Sequence, residues 1–592
     1  TPSVSSGGKP RRFAAGSSVM TADQSADLTA EELAHIDPAE AAVALDLLLT
    51  EAALGVGYHF RPRTATVRMG AKLATKPQAV AKRSAELAAE LTRVALGKSD
   101  AAPERGDRRF AAEAWQENPV LKRVLQSYLA AGKTAADLLE DAELSYDDHE
   151  RAEFLIRNVN DALAPSNSPI LNPDAVSAAK KTKGKSLARG AKSFAKDMKR
   201  APRTPSMISE DAFEVGKNLA ITPGSVVQRT EMYELIQYQP STKTVYRRPM
   251  LVIPPMINKF YAVDLAPGRS LVEYLVGQGH QVFVISWRNP TAEHRDWGFD
   301  SYGAAIIDAM ATTRKITQSK KLNLFATCSG GIVTTMSLAH LKAQGELDQV
   351  SGLGLAVAVL EQDHAGLATA ALNENTAKAA IAVSASRGYL DGRHLAEAFA
   401  WLRPNDLIWS YWVNNYLLGR TPPKFDVLFW NADTTRMSAA LHKDFVEMGV
   451  NNSLGTPGKA EILGTKVDLK TVDTDTYAIA GIADHICPWS AAYGTTQLLG
   501  GDVKFVLSSS GHIAAIINPP TNPKAKFRVA ESNPATAEEW LKGATTEAGS
   551  WWPDFSKWAG ERGGGKVTAP KTLGNETFPP LDPAPGTYIS ED

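Results

Sequence analysis

From about residue 222 onward the chain alternates short apolar runs with amphipathic stretches, and this alternation narrows the possible folds more than any other feature. PMLVIPP (249–255), HQVFVISW (280–287), LNLFAT (322–327), VSGLGLAVAVL (350–360), TYAIAG (476–481) and VKFVLSS (503–509) have the length and apolar density of buried strands. Helical stretches such as GRSLVEYLVGQG (268–279) and SYGAAIIDAMATTRK (301–315) fall between several of them. Strands interleaved with helices predict a mainly parallel sheet covered on both faces. GSVVQRTEMYELIQYQP (224–240) reads as two further, partly alternating strands. The stretch 361–470 breaks the alternation, carries Trp401, Trp409, Trp412 and Trp430, and is expected to form a cap inserted over the site.

One of the strand-to-helix junctions carries chemistry. KLNLFAT (321–327) leads through Cys328, Ser329 and Gly330 into GIVTTMSLAHLKAQG (331–345), whose apolar residues recur at roughly helical spacing up to Gly345. A strand, a sharp turn of small residues and a helix make the nucleophile elbow of the α/β-hydrolase fold. Its usual form is G-x-S-x-G. Here it reads A-T-C-S-G, with cysteine for serine and Ala326 for the first glycine. This stretch alone leaves two readings open, a nucleophile and a small buried hydrophobe.

The first part of the chain has a different texture. Residues 1–26 are rich in Ser and Gly and are expected to be disordered. From 27 to 222 the pattern is mainly helical, as in DPAEAAVALDLLLTEAAL (37–54), KRSAELAAELTRVAL (82–96), AAEAWQENPVLKRVLQSYLAAG (111–132) and HERAEFLIRNVNDAL (149–163). SNSPILNPD (166–174) reads as a loop, and the basic run over 180–200 as the solvated face of a helix, with attraction of the phosphates of a nucleotide-like substrate as the alternative. A chain of 592 residues exceeds one ordinary core. The expected organisation is therefore a helical domain over 27–222 and an α/β domain over 223–592.

Composition excludes several classes. A net charge of −1 argues for neither nucleic acid nor an anionic membrane as partner. The 44% hydrophobic and 22% charged content is that of a globular protein. Two cysteines cannot build a disulfide framework, which predicts a reducing, cytoplasmic setting. No secretory signal is evident. The longest apolar run, 41–58, is interrupted by Asp46 and Glu51 and reads as a buried or interfacial helix rather than a membrane span.

An elbow cysteine needs a base, and in this fold the chain order is nucleophile, acid, histidine. TYAIAG runs into IADHICPW, which puts Asp484 beyond one strand end, and VKFVLSS runs into SGHIAAIINPP, which puts His512 beyond the next. Sites in open α/β sheets assemble at that edge. Asp484 taken alone could be a turn residue, and His512 a satisfied loop histidine; the order and the strand contexts together favour a triad. His485 is expected to pack away from Asp484, and Cys487 to be a buried or partly buried spectator. Ser329 supplies a candidate oxyanion donor through its backbone N–H, and the loop near Met256 and Ile257 a second.

These segments resemble the polyhydroxyalkanoate synthases. The long signature PPMINKFYAVDLAPGRSLVEYLVGQGHQVFVISWRNP (254–290), the cysteine box at 326–331, GIADHICPW (481–489) and SGHIAAIINPP (510–520) carry the likeness. AFEVGKNLAITPGSVV (212–227), WLRPNDLIW (401–409), FDVLFWN (425–431) and GSWWPD (549–554) extend it from about residue 105 to the C-terminus. Ala326 departs from the box and is expected to crowd the elbow slightly; the first hundred residues match only weakly. Length and the helical N-terminal region look most like the single-subunit synthases that favour short monomers.

The resemblance implies a polymerase that converts (R)-3-hydroxyacyl-CoA, 3-hydroxybutyryl-CoA in the first instance, into polyester with release of CoA. Cys328 is then the nucleophile, His512 the base and Asp484 the third member. It implies no metal or organic cofactor, and as partners the growing polyester and its granule surface, granule-associated proteins and a second copy in a homodimer. A thioesterase or depolymerase using the same triad is the alternative among enzymes. A non-catalytic granule-binding structural protein is the alternative outside them.

Overall fold

The computed structural model describes Ala53 and residues 64–592, apart from 105–106, 200–202, 210, 361–373, 403, 485 and 592. The expectations for segment 1–26, for a helix over 37–54 and for His485 lie outside the described residues. Ten strands form one sheet: β1 (Gly224–Arg229), β2 (Tyr233–Tyr238), β3 (Met250–Ile253), β4 (Val282–Trp287), β5 (Leu322–Thr327), β6 (Val350–Ala356), β7 (Thr476–Gly481), β8 (Val503–Ser508), β9 (Lys526–Val529) and β10 (Thr545–Ala548). Their order is β1-β2-β4-β3-β5-β6-β7-β8-β9-β10. The central strands from β4 to β8 pair in parallel, and both flanks are antiparallel.

Apolar residues on successive positions explain why the central strands are buried on both faces. Leu251 and Ile253 of β3 point into one core layer with Phe283 and Leu324, while Met250 and Val252 point into the other with Val282, Val284 and Phe325. The helices Phe299–Thr317 and Ser329–Ala343 contribute to the first layer. The helix Trp552–Glu561, entered at Trp551, contributes to the second. This is the α/β-hydrolase arrangement that the alternation predicts. The strands β9 and β10 were not foreseeable as apolar runs. KFRV and TTEA sit at the sheet edge, β10 is exposed throughout, and there is no apolar pattern to read.

Before the sheet come helices at Thr64–Ala74, Pro77–Ala95, Pro119–Asp141, Tyr146–Ala162, Pro173–Lys181 and Lys185–Asp197. The run 111–132, read as helical, divides into two helices, Ala114–Glu117 and Pro119–Asp141, at Asn118-Pro119. Asn118 Oδ1 accepts from the N–H groups of Val120 and Leu121 and starts the second helix, with Pro119 in its first turn. The basic run lies mostly outward, with Lys181, Lys183, Lys185 and Lys192 exposed.

The insertion between β6 and β7 contains the helices Glu374–Arg387, Gly392–Leu402, Asp426–Ala432 and Ala439–Asn451 and two π-helical turns, Asn405–Trp409 and Trp412–Leu417. Its tryptophans divide between two tasks. Trp412 packs edge-on against Phe194, and its indole donates to the Asn167 carbonyl at 3.0 Å. Tyr416 donates to Asp197 at 2.6 Å, and Arg109 bridges Asp161 and Asn405. Trp412 therefore ties the insertion to the N-terminal helices, and Trp409 packs edge-on against Trp412. Of the four tryptophans expected to cap the site, Trp430 is the one that reaches the cavity described below.

Candidate active site

β5 ends at Thr327, and the chain turns so sharply that Cys328 adopts φ 49°, ψ −125° before the helix starts at Ser329. A positive φ in a non-glycine residue is strained and is held here by its surroundings. The Cys328 N–H donates to the Ala356 carbonyl at 2.9 Å, and the Cys328 carbonyl accepts from Gly331 at 2.9 Å. Glycine at 330 is a packing requirement: a Cβ there would lie 2.6 Å from the Pro254 carbonyl oxygen and 2.7 Å from that of Ile253. Ala326 sits fully buried in the core layer beside β3 and β6, paired with Ile253 and Leu355.

Asp484 follows β7 and His512 follows β8, adjacent parallel strands whose last residues pair as Gly481 and Ser508. Asp484 Oδ2 meets His512 Nδ1 at 2.7 Å. Asp484 Oδ1 accepts from the N–H groups of Ile486 at 2.9 Å and Cys487 at 2.8 Å, so both carboxylate oxygens are engaged and the side chain is fixed. The remaining ring nitrogen of His512 is left for the sulfurs. Cys328 Sγ, Cys487 Sγ and a His512 nitrogen all lie within 4.8 Å of one another. The structure thus brings Cys328, Asp484 and His512 together. Cys487 is buried, as expected, and it stands beside Cys328. Nothing in the local sequence signals this, because the turn after Asp484 sets its direction.

The sulfurs and the imidazole titrate as one group. Cys328 is held well below the ordinary thiol range, first by a hydrogen bond from the Cys487 thiol; burial opposes this, while His512 and the Ser329 N–H add to it. Cys487 moves the opposite way, because it donates to Cys328 and because burial and nearby negative charge disfavour a second thiolate. Burial works against the His512 imidazolium, but the charge and hydrogen bond of Asp484, joined by Cys328, outweigh it and push His512 up to about 10. Both shifts favour a Cys328 thiolate beside a protonated His512.

A cavity of about 130 Å³ opens over the sulfur. Pro254, Ile257, Phe260 and Ile332 line it from the α/β core, and Leu395, Trp430, Met437, Phe445 and Met448 from the insertion. Ile257 lines it as expected of that loop. Met256 does not: its side chain is buried in the core layer, and it is not among the residues that line the cavity. Among the described residues, no backbone carbonyl accepts from the N–H of Met256, Ile257 or Ser329.

The family landmarks brace this site. The Trp287 indole donates to the Pro254 carbonyl at 3.0 Å, fixing the loop that presses on Gly330. The Trp430 indole donates to the Lys259 carbonyl at 2.8 Å, and Tyr261 donates to Asp433 at 2.8 Å, joining the loop to the insertion. The indoles of Trp551 and Trp552 donate to the carbonyls of Ala515 and Ile516 at 2.7 and 3.1 Å, at the end of the short helix that carries His512. Sequence reasoning marked these segments as landmarks without assigning them this work.

Comparison with known proteins agrees with this architecture. Residues 106–275 match the family model described as the poly-beta-hydroxybutyrate polymerase (PhaC) N-terminus, and residues 263–519 match the alpha/beta hydrolase fold. The chain is similar to poly(3-hydroxyalkanoate) polymerase 1 of Ectopseudomonas oleovorans, 46% identical over 87% of this chain and 92% of that one. It is also similar to polymerase 2 of the same organism, 46% identical over 85% and 90%. The poly(3-hydroxyalkanoate) polymerase subunit PhaC of Cupriavidus necator is 38% identical over 84% and 85%. A monoacylglycerol lipase structure from Paleococcus ferrophilus aligns at 12% identity over 56% of this chain and all of that one, with a TM-score of 0.30, too distant to bear on the site. An elbow cysteine on an α/β-hydrolase sheet, in a sequence matched over 84–87% of its length by these relatives, places the chain among the poly(3-hydroxyalkanoate) polymerases, which are acyltransferases.

Proposed function

We propose that this polymerase builds polyester from (R)-3-hydroxyacyl-CoA through a thioester on Cys328, with His512 as proton carrier and Asp484 as its orienting partner. The observation that carries the reading is the Asp484–His512–Cys328 alignment at the floor of an apolar cavity. The Cys328 thiolate attacks the thioester carbonyl, the bond to the CoA sulfur breaks, and His512 gives its proton to the leaving thiolate. The N–H of Ser329 and that of Met256 or Ile257 stabilise the oxyanion. Exchange of one thioester for another is nearly isoenergetic, so the acyl group on Cys328 stays activated.

His512, now neutral, takes the proton from the 3-hydroxyl of the next monomer. The resulting alkoxide attacks the acyl-Cys328 carbonyl and returns the sulfur as the leaving group. The lengthened chain, carried on CoA, then reacylates Cys328 and releases CoA. The apolar lining excludes the water that would end the chain.

The preferred monomer is 3-hydroxybutyryl-CoA, as expected for a single-chain synthase of short monomers. The bulky side chains that close over the sulfur from the insertion, Leu395, Trp430 and Phe445, support this choice. The membership of the chain among the poly(3-hydroxyalkanoate) polymerases supports a location at polymer granules, and the N-terminal region, with Val67, Leu96, Val120, Leu163 and Ile170 exposed, is proposed to serve granule attachment or dimer formation. Among the described residues no helix is long and apolar enough to cross a membrane.

Incubation of the purified protein with (R)-3-hydroxybutyryl-CoA tests the reading. It predicts CoA and insoluble polymer. CoA with free hydroxy acid would identify a thioesterase, and no CoA release a structural granule protein.

A further inference from the structure

The proposed chemistry uses one thiol, yet the site holds two. We propose that Cys328 Sγ, Cys487 Sγ and His512 Nε2 form a binding site for a soft divalent cation of the zinc class, and that its occupation shuts the enzyme down. Three observations carry this. The first is spacing: the three donor atoms lie within 4.8 Å of one another. Zinc–sulfur bonds of about 2.3 Å and zinc–nitrogen bonds of about 2.0–2.1 Å in a tetrahedron set donor separations of roughly 3.6–3.8 Å. A contraction of about 1 Å or less, within reach of side-chain rotation, closes the site.

The second is the donor set. Two sulfurs and one imidazole match zinc and its soft neighbours, and do not suit magnesium or calcium, which take oxygen. The third is the support behind the donors. Asp484 holds His512 Nδ1 at 2.7 Å, which leaves Nε2 as the metal donor, and Asp484 is itself fixed by the N–H groups of Ile486 and Cys487. A carboxylate behind a ligating histidine is the arrangement that orients imidazole ligands in zinc sites. The fourth coordination position faces the cavity lined by Thr327 and Ser329, where a water or an incoming thiol completes it.

Binding is ligand exchange without redox change. Two sulfur–metal bonds and one nitrogen–metal bond form, and the two protons shared among the thiols and the imidazole leave to solvent. The bound ion removes both the nucleophile and the base, so the second thiol makes the enzyme sensitive to soft metals.

The test uses the full chain, stripped of metal and titrated with Zn²⁺ against a chromophoric chelator, and in parallel with Co²⁺. The wild type should bind one ion, show a sulfur-to-cobalt charge-transfer band, and lose CoA release in step with occupancy, with recovery on adding chelator. Cys487→Ala should bind Zn²⁺ at least about 100-fold more weakly, more than the 10–100-fold typical of losing an outer-shell partner, with a weaker charge-transfer band per cobalt. Cys487→Ser, with circular dichroism of both variants, separates ligand loss from misfolding. The cobalt spectrum needs no turnover, so it reads the site independently of the catalytic assignment. Unchanged zinc affinity and cobalt spectrum in Cys487→Ala, or full activity with the site occupied, would overturn the proposal.

Discussion

Asp484 and His512 meet at 2.7 Å, Oδ2 to Nδ1, from the loops that leave two adjacent parallel strands paired to their last residues, Gly481 and Ser508. Because the register of β7 and β8 is fixed by the sheet, the contact is held by the fold and not by the loops alone. Replacing Asp484 with Asn keeps the shape and removes the charge. Asp484→Asn should separate the two halves of the cycle. Acylation by an already acidic thiol should survive in part, whereas deprotonation of a monomer hydroxyl needs the base at full strength. Rapid-quench measurement of CoA should show a burst near one equivalent per site and then marked slowing. Equal slowing of the first and later turnovers would remove this division of labour.

The same pair sets a pH dependence. His512 in the folded protein is raised to about 10, against about 6.5 when unfolded. A raised histidine contributes stability that is fully present below the unfolded value and is lost as pH rises through the folded one. Cys328, held low, has the opposite effect up to its unfolded value of about 8.5 and offsets the histidine there. The wild type should therefore lose thermal stability chiefly between about pH 8.5 and 10, and Asp484→Asn should show a flatter profile over that window. Thermal unfolding of both proteins across the window checks the sign, and parallel profiles would contradict it.

Gly330→Ala places a Cβ 2.6 Å from the Pro254 carbonyl oxygen, whose position the Trp287 indole fixes. The clash is with backbone, so relief requires moving the elbow or the loop. We expect a loss of roughly 1–3 kcal/mol in stability and a larger proportional loss of CoA release. Gly277→Ala, where a Cβ meets nothing within 4 Å, should change little and serves as the control.

Leu395 reaches the cavity from the insertion. Leu395→Ala should widen the acyl site and shift kcat/KM toward longer 3-hydroxyacyl-CoA substrates by roughly tenfold, the low end of what one methylene is worth in an apolar pocket. Competition between short and long substrates measures this ratio directly. An unchanged ratio would place monomer selection elsewhere.

What the sequence disclosed follows from where each signal lies. Cys328, Asp484 and His512 each follow an apolar strand, and a parallel sheet delivers all three strand ends to one edge, so their convergence was legible in one dimension. Cys487 was not, because hydrogen bonds from its own turn to Asp484 aim its thiol, and the sequence ICPW does not encode that direction. Polar edge strands such as TTEA carry no burial signal. The tryptophans of the insertion were legible as packing residues but not as packing partners. Trp412 turned out to belong to the contact with Phe194, far along the chain.

The central claim is that the growing chain is held on Cys328. Rapid quenching of the enzyme during turnover of (R)-3-hydroxybutyryl-CoA, followed by peptide mass spectrometry, tests it most directly. The acyl mass should appear on the peptide containing Cys328 and not on that containing Cys487. Cys328→Ala should lose both the adduct and CoA release, while Cys487→Ala, which removes the hydrogen bond that lowers the Cys328 thiol, slows CoA release but still places the adduct on Cys328. An acyl adduct on Cys487, or CoA release that persists in Cys328→Ala, would contradict the account.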